Sequence, residues 1–173
     1  PRLGEDEIIA ALTAENPDAE AAEIRNAARV SEGSYLKARK LLTETGEMSL
    51  NFDRFKELMR KAWMVGNKKD HDSLKTLKKW ADVLAAAEVG RERQKKFLMY
   101  RENYIFNISE PCLNYMADYE AGFSGNFSPY INERNVEDLV QEFSLAERHI
   151  EQNVNAKMVF FDLVLKVIML LKR

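Results

Sequence analysis

Apolar residues recur along this chain at spacings of three and four, the period that gathers them on one face of a helix. Three short runs carry it in the first 46 residues: Glu5 to Ala14, Ala19 to Ser31 and Ser34 to Glu44. Asp18, after Pro17, reads as an N-cap, and Gly33 followed by Ser34 reads as a helix stop and then a new cap. Ile8, Ile9, Leu12, Ile24, Ala27, Ala28, Leu41 and Leu42 form the shared core expected of the three. A piece of roughly 45 residues buries too little surface to be stable without help.

Longer amphipathic stretches begin beyond Gly46, so Gly46 to Asn51 is the expected linker. Phe52, Phe55, Met59 and Ala62 fall on one stripe, with Leu58 and Val65 beside it, in a helix that should end near Gly66. Leu74, Leu77, Ala81 and Leu84 repeat the spacing from about Asp72 to Val89, with Gly90 as the stop. A third helix from Arg91 carries Phe97, Leu98, Tyr104, Ile105 and Ile108 toward Pro111, which cannot continue a helix interior.

Residues 111 to 134 mix Gly, Pro, Asn and Ser with Tyr115, Met116, Phe123, Phe127, Tyr130 and Ile131, predicting a packed connection with a short helix at Leu113 to Tyr119. Asn135 with Asp138 then resembles a cap opening a helix lined by Leu139, Val140, Phe143, Ala146 and Ile150. In the last helix, after Asn153, Met158, Phe161, Leu165 and Ile168 form a stripe. Phe160, Val164, Val167, Leu170 and Leu171 widen it far beyond a half-exposed face. Such a helix belongs at the centre of a bundle, and the excess apolar surface marks a subunit interface at Phe160, Val164, Val167 and Leu171.

Composition sharpens this to an all-α fold. Only seven Gly and four Pro punctuate 173 residues, too few for a protein built of strands and turns. The expected organisation is a small three-helix unit over residues 1 to 46 and a five-helix bundle over 47 to 173. The longest apolar run, Met158 to Leu171, is broken by Asp162 and Lys166 and is shorter than the roughly 20 residues a bilayer span needs. The lone Cys112 cannot form an internal disulfide, which points to the cytoplasm. A start at Pro1 suggests a fragment with something upstream.

Charge is laid out unevenly. Residues 54 to 101 carry 14 Lys and Arg against six Asp and Glu, +8, whereas the segments on either side each carry six against eleven, −5. Neutralisation by the protein's own acidic helices is the simpler consequence; contact with nucleic acid is the functional one. In the second case Lys68, Lys69, Lys75, Lys78 and Lys79 are the candidate phosphate contacts. The interleaved rings Phe52, Phe55, Phe97, Trp63 and Trp80 fall on or beside the apolar stripes, so they belong to cores rather than to base stacking.

Sequence signals for catalysis are absent. No phosphate-binding G-x-x-x-x-G-K-[ST], dinucleotide G-x-G-x-x-G or H-E-x-x-H occurs. His71 and His149 are isolated, and Glu147 precedes His149 by two residues, which points the pair to different helix faces. No metal, cofactor or catalytic residue is expected.

The stretch Ile24 to Leu42, IRNAARVSEGSYLKARKLL, resembles the lid segment of clamp-loader AAA+ proteins in Ala28, Ser31, Gly33, Ser34 and Ala38. In such lids a sensor arginine follows Gly-Ser after one residue, a place taken here by Leu36. A leucine cannot make charge-assisted hydrogen bonds to a phosphate, which matches the non-hydrolysing delta-prime type. The C-terminal NVNAKMVFFDLVLKVIMLL is similar to the collar of these subunits. The resemblance implies a non-catalytic part of a bacterial DNA polymerase III clamp loader. It implies motor and delta subunits as partners, and indirect or weak contact with DNA. Two other readings compete: a stand-alone helical DNA-binding or regulatory protein using residues 54 to 101, and, last, a carboxylate-rich helical enzyme, for which the inward ligands are missing.

Overall fold

The protein is described by a computed structural model covering residues 2–108 and 131–172, with the side chains of 106–108 left aside. The predicted helix at Leu113 to Tyr119, Cys112 and the aromatic connection up to residue 130 lie outside the described residues. Within them the chain is all-α, with no strand. The helices are α1 (Glu5–Glu15), α2 (Ala21–Val30), α3 (Tyr35–Lys68), α4 (His71–Ala85), α5 (Gly90–Met99), α6 (Arg101–Ile108), α7 (Val136–Glu151) and α8 (Ala156–Leu170). Two compact units divide the chain, Pro1–Asp53 and Arg54–Arg173, and α3 contributes to both.

In the first unit Ile8, Leu12, Ile24, Ala27, Ala28, Ala38 and Leu42 form the core, with Ile9 and Leu41 at its edge. Asp18 is not the cap of α2: Glu20 holds that place, without a side-chain hydrogen bond, and Asp18 stays in the preceding turn. Gly33 behaves as its sequence position suggests. Its φ of 87° follows Glu32 at 53°, a left-handed pair that only glycine enters without strain. The amide of Lys37 then donates to Ser34 Oγ at 3.4 Å.

The expected linker is absent. Residues 46 to 51 lie inside α3, which runs unbroken for 34 residues. A single glycine among helix formers costs about 1 kcal/mol and does not end a helix; proline would. No proline stands between Pro17 and Pro111. Gly66 is likewise internal, and α3 stops instead at Lys69, whose φ is 53°.

The core of the second unit is aromatic. Phe97 stands against Trp80, Tyr104, Phe143 and Phe160 at ring-centroid distances of 5.7, 5.8, 6.2 and 6.4 Å. Phe55 of α3 joins Tyr104 at 5.0 Å and Phe143 at 5.7 Å. Trp80 keeps its indole N–H satisfied on the Arg54 carbonyl at 3.0 Å, so its bulk is buried without an orphaned donor. Burial raises the Tyr104 phenol well above its ordinary range.

Helix ends differ from expectation in three places. α4 ends at Ala85 rather than Val89, because the next turn offers Glu88 where the stripe needs an apolar side chain. Gln94, buried, instead donates to the Leu84 carbonyl at 2.9 Å. The third predicted helix is two, α5 and α6, separated at Tyr100. Asn135 is N-terminal to α7 but makes no capping bond; its amide donates to the Leu170 carbonyl at 3.2 Å. Asn67 donates to the Leu171 carbonyl at 2.9 Å. Two amides, from α3 and from the start of α7, therefore satisfy the Leu171 and Leu170 carbonyls at the end of α8.

Candidate functional site

The last helix decides what the second unit can offer a partner. α8 begins at Asn155, whose Oδ1 accepts from the Met158 amide at 3.3 Å, and it packs on α4 and α7. Phe160, Val164, Val167 and Leu171, read from the sequence as a subunit interface, are all buried in the unit's own core. They have no surface to present. The opposite side of this helix, expected at the centre of a bundle, is the exposed one. Met158 is 68%, Phe161 36%, Leu165 44% and Met169 63% exposed, while Ile168 turns inward.

These four lie at steps of three, four and four, within about 80° of one another around a helix of 100° per residue. They form one apolar row roughly three turns long. Lys166 borders it, bonded to Asp162 at 2.9 Å and to Glu142 of α7 at 3.0 Å. Those two carboxylates, Asp162 first, hold the Lys166 ammonium above its usual range. Asp162 and Lys166 carried the missed signal: an i, i+4 ion pair marks the watered side, and the residues opposite it are Phe160, Val164, Val167 and Leu171.

The chain matches no family model, no curated protein and no solved structure. What it does must therefore be argued from its own residues.

The five candidate phosphate contacts are all exposed: Lys68 at the end of α3, Lys69 in the following turn, and Lys75, Lys78 and Lys79 on α4. They do not make a purely basic face. Asp72 and Asp82 fall on the same outer side of α4, and Lys75 stands 3.9 Å from Asp72. Lys68 lies over the Trp63 ring at 5.7 Å. Elsewhere the basic segment is neutralised from within. Arg101 pairs with Glu147 at 2.6 Å and Lys95 with Glu151 at 3.1 Å, which is the self-balancing expected from the acidic α7.

In the first unit the lid-like residues split by role. Ser31 is buried and donates to the Ala28 carbonyl at 2.6 Å, Ala38 is in the core, and Gly33 and Ser34 make the turn. Leu36 points into solvent with 75% of its surface exposed. Nothing around it demands leucine for packing.

Among the described residues no group of three or more His, Cys, Asp and Glu is placed to hold a metal ion. None of the helices described is long and apolar enough to cross a membrane.

Proposed function

We propose that this chain is an assembly module, the lid and collar portion of a delta-prime-type subunit of the bacterial DNA polymerase III clamp loader. It binds neighbouring subunits through helix faces and carries out no chemistry of its own. The observation that carries this reading is the apolar row Met158, Phe161, Leu165 and Met169, standing in water on a helix whose other side is fully used by the core. An ordered apolar row on a well-packed helix is the kind of surface that permanent subunit contacts cover. Leu36 supports it too: a lid with an exposed leucine at the arginine position has no charge to give a nucleotide phosphate. The partners in this reading are the motor and delta subunits, with DNA met only indirectly.

Light scattering of this chain mixed with those two subunits tests the reading. A stable co-eluting assembly is expected, and Leu165→Asp with Met169→Asp should abolish it while leaving helicity and the thermal transition intact. A folded chain that associates with neither subunit, or a double variant that assembles like the parent, counts against it.

The exposed lysines favour a second reading as a DNA-binding protein. Reversing Lys68, Lys69, Lys78 and Lys79 to Glu separates the two. Loss of salt-dependent DNA affinity with intact subunit binding favours the second; unchanged, weak DNA affinity leaves the first.

A further inference from the structure

Where α4 ends, α5 begins, α7 ends and α8 begins, the second unit carries a half-open pocket of about 250 Å³. Small side chains leave it open: Ala85, Ala87 and Ala156 line it, with Ile150 and Val154 as the larger apolar walls. Gly90 contributes the rest of the opening. Its φ is 76°, and a Cβ placed there would meet nothing within 4 Å, so the backbone conformation that excludes side chains also keeps this wall bare.

Two polar side chains, Arg91 and Gln94, line it as well. Gln94, 3% exposed, is fixed through its Nε2 on the Leu84 carbonyl at 2.9 Å. Arg91, an exposed residue at the rim, donates through Nη1 to the Ile150 carbonyl at 3.0 Å. That single bond leaves the other guanidinium N–H groups without an acceptor among the described residues, in a fork suited to a carboxylate. The nearest carboxylate along α7, Glu151, is already paired with Lys95 at 3.1 Å and does not cancel the charge. α5 also starts at this wall with no side chain capping its first amides, and Glu92 stands in the same first turn.

We infer that this pocket is a carboxylate-binding site in which Arg91 holds the anion and the alanine-lined space holds a short aliphatic body. Drug-sized ligands occupy pockets of roughly 300 to 1,000 Å³; this one suits a single aliphatic side chain with its acid group. Such a ligand comes from two sources, a free branched-chain acid or the C-terminal residue of a peptide, and both share the chemistry that Arg91 reads. The site is remote in its chemistry from the apolar row on α8 and does not depend on the assembly reading.

The test is an amide-resolved NMR titration of the intact chain with sodium 4-methylpentanoate, with N-acetyl-leucine, and with N-acetyl-leucinamide, which lacks the acid. Saturable shifts at Gly90, Gln94, Val154 and Ala156 are expected with both acids and not with the amide. Equal affinity for the two acids assigns the site to free acids, and a preference for N-acetyl-leucine assigns it to chain ends. Arg91→Gln should weaken binding by about 10- to 100-fold, the loss of a hydrogen bond to a charged group. Because that change also removes the bond to Ile150, Ala87→Leu serves as a second variant that fills the space from an exposed position. No saturable shift, equal shifts with the amide, or undiminished binding in both variants would overturn the inference.

Discussion

Alanine in place of Gly46 and of Gly66 makes the same chemical change twice in one helix, yet only the first should stabilise. Gly46 is exposed, its φ is not in the left-handed region, and a Cβ there meets nothing within 4 Å. The added methyl then only removes conformational freedom from the unfolded chain and raises helix propensity, a stabilisation of about 0.5 to 1 kcal/mol. At Gly66 the same gain meets the end of α8. The new Cβ would stand 3.0 Å from the Ile168 carbonyl oxygen and 3.1 Å from Lys172 Cγ. The lysine can swing away, but a backbone oxygen in a packed helix cannot, and overpacking of this kind costs about 1 to 3 kcal/mol.

Gly66→Ala should therefore be neutral to destabilising by about 2 kcal/mol, net of the propensity gain. Urea unfolding followed by circular dichroism reads both, and for a chain of this length each kcal/mol moves the thermal midpoint by about 2 to 4 °C. A Gly46→Ala protein that loses about 1 kcal/mol would mean that Gly46 is a helix-ending glycine in the left-handed region, as the expected linker required. That result, or equal effects at both positions, would refute a continuous α3 packed closely on α8.

Other expectations follow from the same packing. Phe97→Ala should cost about 3 to 5 kcal/mol, the range for emptying a buried aromatic site, while Val83→Ala on the exposed side of α4 stays within about 0.5 kcal/mol; urea midpoints compare them. Asn67→Leu should destabilise by about 1 to 3 kcal/mol, since the Leu171 carbonyl loses its donor, with faster hydrogen exchange at the end of α8 as the specific sign. Asp70 caps α4 by accepting first from the Ser73 amide and then from its hydroxyl, and these bonds depress its carboxyl. A depressed acid stabilises the fold above the ordinary carboxylate range and loses that contribution as pH falls through the lowered value. Asp70→Asn should thus lower stability near neutral pH and flatten its decline below about pH 4.

Much of this fold is legible in the period of its apolar residues. Phe55, Leu58, Met59 and Ala62, the Leu77–Ala81–Leu84 series, and Leu139, Phe143, Ala146 and Ile150 all fall where a three-and-four spacing puts them, and all are buried. What misleads is punctuation. Gly33 and Gly90 take left-handed backbone and do interrupt helices, whereas Gly46 and Gly66 sit inside one. A glycine permits a break without causing one; the neighbours decide, through caps and through whether the next turn has an apolar side chain to bury. Asp18 and Asn135 teach the same lesson about caps. A side chain that can cap a helix is equally able to serve a turn or, as Asn135 does, to hold the far end of another helix.

The reversal on α8 shows why surfaces are harder to read than cores. Its apolar residues surround most of the helix, so periodicity alone cannot say which stripe is inward, and the more regular one, Met158, Phe161 and Leu165, is the outward one. Only the polar residues break the tie. Asp162 and Lys166 must both reach water, and Lys166 must also meet Glu142 on α7; together they turn Phe160 toward Trp80 and Phe97 and leave Val164 buried. Leucine and methionine left outside by that constraint are an expense in a monomer, since nothing in the core needs them. Lys or Glu at 158, 165 and 169 would keep every buried contact and the helix itself. A triple Met158→Lys, Leu165→Glu, Met169→Lys protein should accordingly be as stable as the parent within about 1 kcal/mol and more soluble. If it unfolds instead, the row belongs to the fold rather than to a partner, and the assembly reading loses the observation that carries it.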